Sequence, residues 1–209
     1  EKIGTTRTGN GPAYRDKYNR TGVRACDIPS LSPFLIDIYE ELAGDSVILM
    51  EGAQGFWLDP DWGDYPYVTS SHTGTAAAIQ NGINPRSIRN VWGVIKAYET
   101  YVGKRAFQPD EEVFERIQKA GQEFGATTAR VRQCNWINLK EIEQAITMNG
   151  VNRLVVNKID VLREVGDWAT TSHHFSKELL FREHLSEKLH RGLGIEKIYF
   201  SDNPVNMWE

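Results

Sequence analysis

A chain of 209 residues, 40% of them apolar, is long enough to bury roughly 70% of its unfolded surface, and its length favours a single large domain. The 24 Lys and Arg against 28 Asp and Glu leave a net charge of −4 with no block of like charge, which argues against a general nucleic-acid or membrane adhesive. No apolar run approaches the ~20 residues of a membrane helix, and Cys26 and Cys134 show no CxxC spacing, so neither a disulfide framework nor a zinc site is supported; a soluble protein of a reducing, cytoplasmic compartment is expected.

The opening Glu1-Lys2-Ile3-Gly4-Thr5-Thr6 has neither an initiator Met nor a signal-peptide core and reads as the interior of a longer chain. Residues 14–24, dense in charge after the turn Gly9-Asn10-Gly11-Pro12, predict a loop opening a short helix. Residues 33–42 place Phe34, Leu35, Ile38, Tyr39 and Leu42 at helical spacing, ended by Gly44-Asp45. The apolar run 47–50 predicts a strand feeding the glycine loop Glu51-Gly52-Ala53-Gln54-Gly55. Residues 59–67, with their prolines and aspartates, predict an irregular, well-anchored surface loop, and the Ala-rich stretch 73–80 a closely packed helix.

Residues 91–102 read as a strand, broken over 107–110 by Pro109. Helices follow over 111–124, with Val113, Phe114, Ile117 and Ala120 on one face, and over 139–148, with Ile142, Ala145 and Ile146, stopped by Gly150. Residues 153–156 form a buried strand that ends in Asn157-Lys158-Ile159-Asp160. An amphipathic helix over 179–193, with Leu180, Leu185 and Leu189 facing in, precedes a last short strand at 198–200. The alternation predicts an α/β protein with a mainly parallel sheet and flanking helices.

Five stretches carry chemistry. Lys158 and Asp160 at a strand's carboxyl end suit a guanine: the carboxylate accepts from N1–H and the 2-amino group while the Lys stem lies over the base, and the alternative is a solvated strand end. Residues 125–132 join Ala126, Thr127 and Thr128 to Arg130 and Arg132, either a cradle for carboxylate or phosphate or a basic surface loop. Arg20 and Arg24 are a second anion-binding pair or ion-pair partners of Asp16 and Asp27. Gln54 offers a donor and an acceptor to a purine edge, and the hydroxyl run 69–73, with Thr69, suits a phosphate at a helix N-terminus or a simple cap. His173, His174, His184 and His190 read as surface or packing residues.

Taken in order, Gly4-Thr5-Thr6-Arg7-Thr8-Gly9-Asn10-Gly11-Pro12-Ala13-Tyr14-Arg15-Asp16-Lys17, Glu51-Gly52-Ala53-Gln54-Gly55, Tyr65-Pro66-Tyr67-Val68-Thr69-Ser70-Ser71, Lys96-Ala97-Tyr98, Gly125-Ala126-Thr127-Thr128 and Lys158-Ile159-Asp160 resemble the adenylosuccinate synthetases over nearly the whole chain. The resemblance implies the C-terminal portion of a P-loop-GTPase-like α/β catalytic domain, one domain portion spanning 1–209. It implies a ligase that joins L-aspartate to C6 of a purine mononucleotide, phosphorylating the 6-oxygen before the aspartate amine displaces phosphate. Thr6, Arg20, Gln54, Thr69 and Arg130 would hold the nucleotide substrate, Arg20 reaching across a homodimer. Residues Ala126, Thr127, Thr128, Arg130 and Arg132 would bind aspartate. Arg132, Lys158, Asp160, Ser201, Asp202 and Asn203 would bind GTP or ATP.

The family's phosphate loop with its catalytic Asp, and the later segment with a catalytic His and a magnesium ligand, have no counterpart in this sequence, so Mg2+ is expected to be held elsewhere and this portion alone to be inactive. Ala129 stands in a glycine position of the family, and Arg105-Ala106-Phe107-Gln108-Pro109-Asp110 replaces a Pro-Phe-Pro-Thr-Glu stretch. The short interval from Lys158 to Ser201 resembles the compact archaeal and phage branch, whose phage members include enzymes taking dGMP instead of IMP. The alternative reading is a non-catalytic guanine-nucleotide-binding regulator that keeps Lys158 and Asp160.

Overall fold

The computed structural model describes residues 3–44, 47–125 and 129–209, which fall into two compact units, Arg7–Arg89 and Glu1–Thr6 with Asn90–Glu209. In the first unit, helix α1 (Asn10–Asn19) starts earlier than the charge pattern suggests because Gly9, at φ 93°, supplies the left-handed turn at its head. It ends at Arg20, φ 62°, whose N–H donates to the Lys17 carbonyl at 3.1 Å. The expected helix over 33–42 shrinks to α2 (Ile38–Leu42) after a 3-10 stretch, Pro29–Phe34. Pro33 has no N–H to give a longer α-helix, and the Asp37 carboxylate caps α2 by accepting from the Tyr39 N–H at 2.8 Å.

The strand expected at 47–50 does not form. An apolar run becomes a strand only where a neighbour takes its backbone hydrogen bonds, and this unit has no strand among its described residues; Val47 is 99% and Leu49 89% exposed. The loop over 59–67 is anchored as expected. Asp59, 2% exposed, accepts from the Asp61 N–H at 2.9 Å and the Thr73 N–H at 2.8 Å, and the chain folds so tightly here that a Cβ on Gly63 would lie 2.4 Å from the Trp57 carbonyl oxygen. The unit closes with α3 (Ala76–Gln80).

The second unit contains, in chain order, β1 (Trp92–Lys96), β2 (Glu99–Tyr101), α4 (Glu112–Ala120), β3 (Gln133–Asn135), α5 (Leu139–Asn149), β4 (Arg153–Asn157), α6 (Ile159–Val165), β5 (Trp168–Ala169), β6 (His174–Phe175), α7 (Glu178–His190) and β7 (Lys197–Phe200). Strands β1, β4 and β7 form a parallel sheet in the order β1-β4-β7, with Leu154 beside Gly93 and Ile198, and Val156 beside Ile95 and Phe200. The period-two alternation of β4 sends Leu154 and Val156 into a core completed by Phe114 and Ile117 of α4, Ile142 and Ile146 of α5, Leu162 of α6, and Phe181, Leu185 and Leu189 of α7. Each such side chain, fully buried, contributes about 1.5–3 kcal/mol relative to exposure.

The single strand expected over 91–102 is two. Ala97 still donates its N–H to the Asn157 carbonyl at 2.9 Å, but Tyr98, 1% exposed, ends the ladder, and β2 pairs antiparallel with β3 instead. In α7 the buried stripe is Phe181, Leu185 and Leu189, spaced by one turn, which leaves Leu180, one position off it, 45% exposed. Helix α6 and the short hairpin β5-β6 carry no sequence expectation: α6 opens after Lys158, held left-handed at φ 64°, and ends at Gly166, φ 81°. Among the described residues no helix is long and apolar enough to cross a membrane.

Candidate functional site

Because β1, β4 and β7 run parallel, the segments that leave them emerge at the same end of the sheet, the end at which ligands bind in open α/β sheets. Lys158 leaves β4, and its Nζ donates to the Gly121 carbonyl at 3.3 Å, while Asp160 lies exposed in the first turn of α6. Ser201 leaves β7 alongside: its carbonyl accepts from the Ile159 N–H at 3.2 Å and its own N–H donates to the Val156 carbonyl at 2.9 Å. The structure therefore brings Lys158, Asp160 and Ser201 together. The side chains of this second segment shape the loop itself. Ser201 Oγ donates to the Asn203 and Asn206 carbonyls, and Asn203 Oδ1 accepts from the Val205 and Asn206 N–H groups. Asp202 accepts from Arg163 NH1 at 3.0 Å, and the same guanidinium donates to Glu178 of α7 at 2.8 and 3.0 Å. Hydrogen bonding to Arg163 holds the Asp202 carboxyl below the usual carboxylate range.

A buried charge cluster lies beside them, and sequence reasoning gave it no role. Glu123 is 1% exposed, and its carboxylate accepts from Lys96 Nζ at 2.8 Å, from the Tyr98 hydroxyl at 2.6 Å and from Arg132 NH1 at 2.9 Å. Burial alone would raise its pKa, but the hydrogen bonds from Lys96 and Tyr98 and the charge of Lys96 hold it low, so it is an anion. The one available signal was the pairing of Lys96-Ala97-Tyr98 at a strand's end with a lone Glu before an arginine loop.

In that loop the Gly125 N–H donates to the Arg130 carbonyl and the Ala129 N–H to the Gly125 carbonyl, both at 2.8 Å, and Ala129 is left-handed at φ 51°. Arg132 is fixed at its backbone as well: its N–H donates to the Glu123 carbonyl at 2.9 Å and its carbonyl accepts from Gln118 Nε2 at 2.7 Å. Arg130 NH1 donates to the Gly4 carbonyl at 2.7 Å, which sets the segment ending in the exposed Thr6 beside the loop. Ala126, Thr127 and Thr128 lie outside the described residues.

Arg20, Gln54 and Thr69 belong to the Arg7–Arg89 unit. Arg20 is exposed at the end of α1, and Gln54 is exposed in its glycine loop at φ 73°. Thr69 donates its N–H to the Leu58 carbonyl at 2.7 Å; the hydroxyl run stops short of α3, which begins after Thr75, so it does not cap that helix. Arg24 pairs with Asp27 at 3.1 Å, whereas Asp16 pairs with Arg15 rather than Arg20. Among the described residues, Asp59, Asp61 and His72 form the one group of metal-binding side chains, with ligand atoms within 4.8 Å of one another. The Asp59 oxygens already accept two backbone N–H groups, and an imidazole is foreign to the all-oxygen shell of Mg2+, so this group does not fit magnesium. Of the histidines, His173, His174 and His190 are exposed and His184 half-buried, in line with surface and packing roles.

A family model described as adenylosuccinate synthetase matches residues 29–171. Among similar curated proteins, the adenylosuccinate synthetase of Pelodictyon phaeoclathratiforme is 37% identical over 78% of this chain and 49% of its own, and that of Candida dubliniensis 34% identical over 78% and 50%. The chain thus spans about half the length of the curated relatives it matches. The fully ligated adenylosuccinate synthetase of Plasmodium falciparum superposes with a TM-score of 0.57 at 30% identity, covering 74% of this chain and 35% of that one. The succinoaminodeoxyadenylate synthetase of cyanophage S-2L, solved with dGMP and with dATP as an energy donor, superposes with a TM-score of 0.70 at 21% identity, covering 98% and 61%, a likeness of fold.

Proposed function

This chain belongs to the adenylosuccinate synthetase family, and from that premise we propose that it is the substrate-binding portion of a ligase joining L-aspartate to C6 of a 6-oxopurine 5′-mononucleotide, driven by hydrolysis of a nucleoside triphosphate. The observation that carries the reading is the convergence of Lys158, Asp160 and Ser201 with the arginine loop, through Lys96, Glu123 and Gly121, at one end of the parallel sheet. An exposed carboxylate beside a lysine stem suits the base of the triphosphate, and two arginines on a glycine-closed loop suit a dicarboxylate and phosphate oxygens.

In this reading Arg132, Lys158, Asp160, Ser201, Asp202 and Asn203 hold GTP or ATP, with Asp202 and Asn203 acting by shaping the loop. Arg130 and Arg132, with residues 126–128, hold the two carboxylates of aspartate so that its amine approaches C6, where it displaces phosphate from the phosphorylated 6-oxygen. Thr6, Arg20, Gln54, Thr69 and Arg130 bind the mononucleotide, with Arg20 acting across a homodimer in the cytoplasm, and both units are parts of one larger catalytic domain. The Asp59, Asp61 and His72 group does not fit magnesium. IMP and dGMP share the 6-oxo group that the chemistry requires, and the compact interval between Lys158 and Ser201 and the cyanophage enzyme solved with dGMP and dATP make both mononucleotides candidates.

The test is phosphate release by the full protein carrying this chain, with aspartate, GTP or ATP, and either IMP or dGMP. Aspartate-dependent release with one mononucleotide is expected. Nucleotide binding without release under any combination supports the non-catalytic regulator instead. Asp160→Asn should weaken GTP relative to ATP, since the amide cannot accept both guanine donors, and an unaltered donor preference removes Asp160 from the base site.

A further inference from the structure

Glu123 belongs to none of the three sets of ligand-binding residues above, yet it is the most heavily partnered buried charge among the described residues. Taking a carboxylate out of water costs several kcal/mol, and an apolar side chain of similar size commonly serves stability as well or better. Its partners say what else it does. Both oxygens accept from Lys96 Nζ at 2.8 Å, Oε1 also from the Tyr98 hydroxyl at 2.6 Å, and Oε2 from Arg132 NH1 at 2.9 Å. Lys96 Nζ is held in addition by Thr100 Oγ1 at 3.1 Å. Glu123 thereby ties the end of β1, the turn after it and the start of β3 to one point, and the Glu123 backbone carbonyl fixes Arg132 a second time. Arg132 nevertheless keeps 30% of its side chain exposed, and a guanidinium has five N–H donors, of which NH1 serves Glu123.

We propose that Glu123 is a positioning residue: it fixes the Arg132 guanidinium in the orientation that receives a carboxylate of the amino-acid substrate, and it neutralises Lys96 so that two cations can stand together at the site. Two cations against one buried anion leave one excess positive charge, which suits one carboxylate of the ligand. A mobile arginine would lose rotamer freedom on binding, and one already fixed loses less. The inference rests on the reading of Arg132 as an aspartate-binding residue.

The experiment is a double-mutant cycle in the full protein, with Glu123→Gln, Arg132→Ala and the pair, reading the KM for aspartate, kcat and the melting temperature. Glu123→Gln should raise the aspartate KM at least about tenfold while kcat moves less than about threefold, and in the Arg132→Ala background the KM effect should vanish although the loss of melting temperature persists. Where Glu123→Gln does not fold, Glu123→Asp, which keeps the charge and withdraws it by one methylene, carries the same cycle with a smaller rise. A KM rise of equal size in both backgrounds, or a lowered melting temperature with an unchanged KM, overturns the proposal. An Arg132→Ala enzyme with unchanged aspartate KM overturns the assignment of Arg132 itself, whichever way Glu123 behaves.

Discussion

Glu99 opens β2 with its carboxyl pressed into the protein, where Oε1 accepts from the Asn138 N–H at 2.9 Å at the head of α5. Burial pushes its pKa up from 4.5 to about 7; the Asn138 hydrogen bond opposes this, and Glu141 adds to it. The folded chain therefore holds a proton that the unfolded chain has released between these two values, so stability falls as the pH rises from 4.5 to about 7 and stays lost above it. At 1.36 kcal/mol per pKa unit the loss at pH 8.5 is about 2–3 kcal/mol, allowing for the part of the side chain that remains hydrated. Glu99→Gln keeps the carbonyl that Asn138 needs and removes the titration. In urea denaturation followed by tryptophan fluorescence, the variant should be more stable than the parent by that amount at pH 8.5 and indistinguishable from it near pH 4.5. A stability difference that does not change with pH, or a variant weaker at pH 8.5, refutes the reasoning.

Ala129 stands at φ 51°, where glycine is at ease and alanine strained, so Ala129→Gly should stabilise the chain by about 0.5–1 kcal/mol, read as a raised melting temperature; an equal or lower one refutes the assignment of strain. Gly63→Ala would force its Cβ against the Trp57 and Asp59 carbonyl oxygens and Val68 Cγ1, at a cost of about 1–3 kcal/mol, and should speed hydrogen exchange at the Thr73 amide that Asp59 holds; unchanged protection there counts against the tight loop. Cys134 is fully buried with its thiol pushed up to about 12, whereas Cys26 is exposed, so a thiol reagent at pH 8 should label one cysteine of the native protein quickly and Cys134 only on unfolding; two fast equivalents contradict the packing.

The second unit was the more legible in sequence, because its signals are local and mutually consistent: the apolar alternation of β4, the helical stripe of α5 with Gly150 behind it, and the short apolar β7 each bury the residues their pattern marks. In the first unit the same reasoning over-assigned structure, since the apolar runs at 33–42 and 47–50 have the composition of elements without the neighbours that would complete them, and Leu49 stays exposed. At the site, Lys158 and Asp160 were legible because a polar pair ends an apolar strand. Glu123 was not, because its importance comes from Lys96, Tyr98 and Arg132, which lie far from it or from one another along the chain and meet only in the fold.

Arg163 joins Glu178 of α7 to Asp202 beyond β7 while itself sitting on the helix that Lys158 opens. The two segments at this end of the sheet are thus bridged by one guanidinium, and a ligand that settles there meets backbone already hydrogen-bonded, which lessens the roughly 1–2 kcal/mol per residue that freezing a loop demands. Calorimetry at this end should accordingly record the modest heat-capacity change of docking onto a rigid surface, without the large negative change of coupled folding.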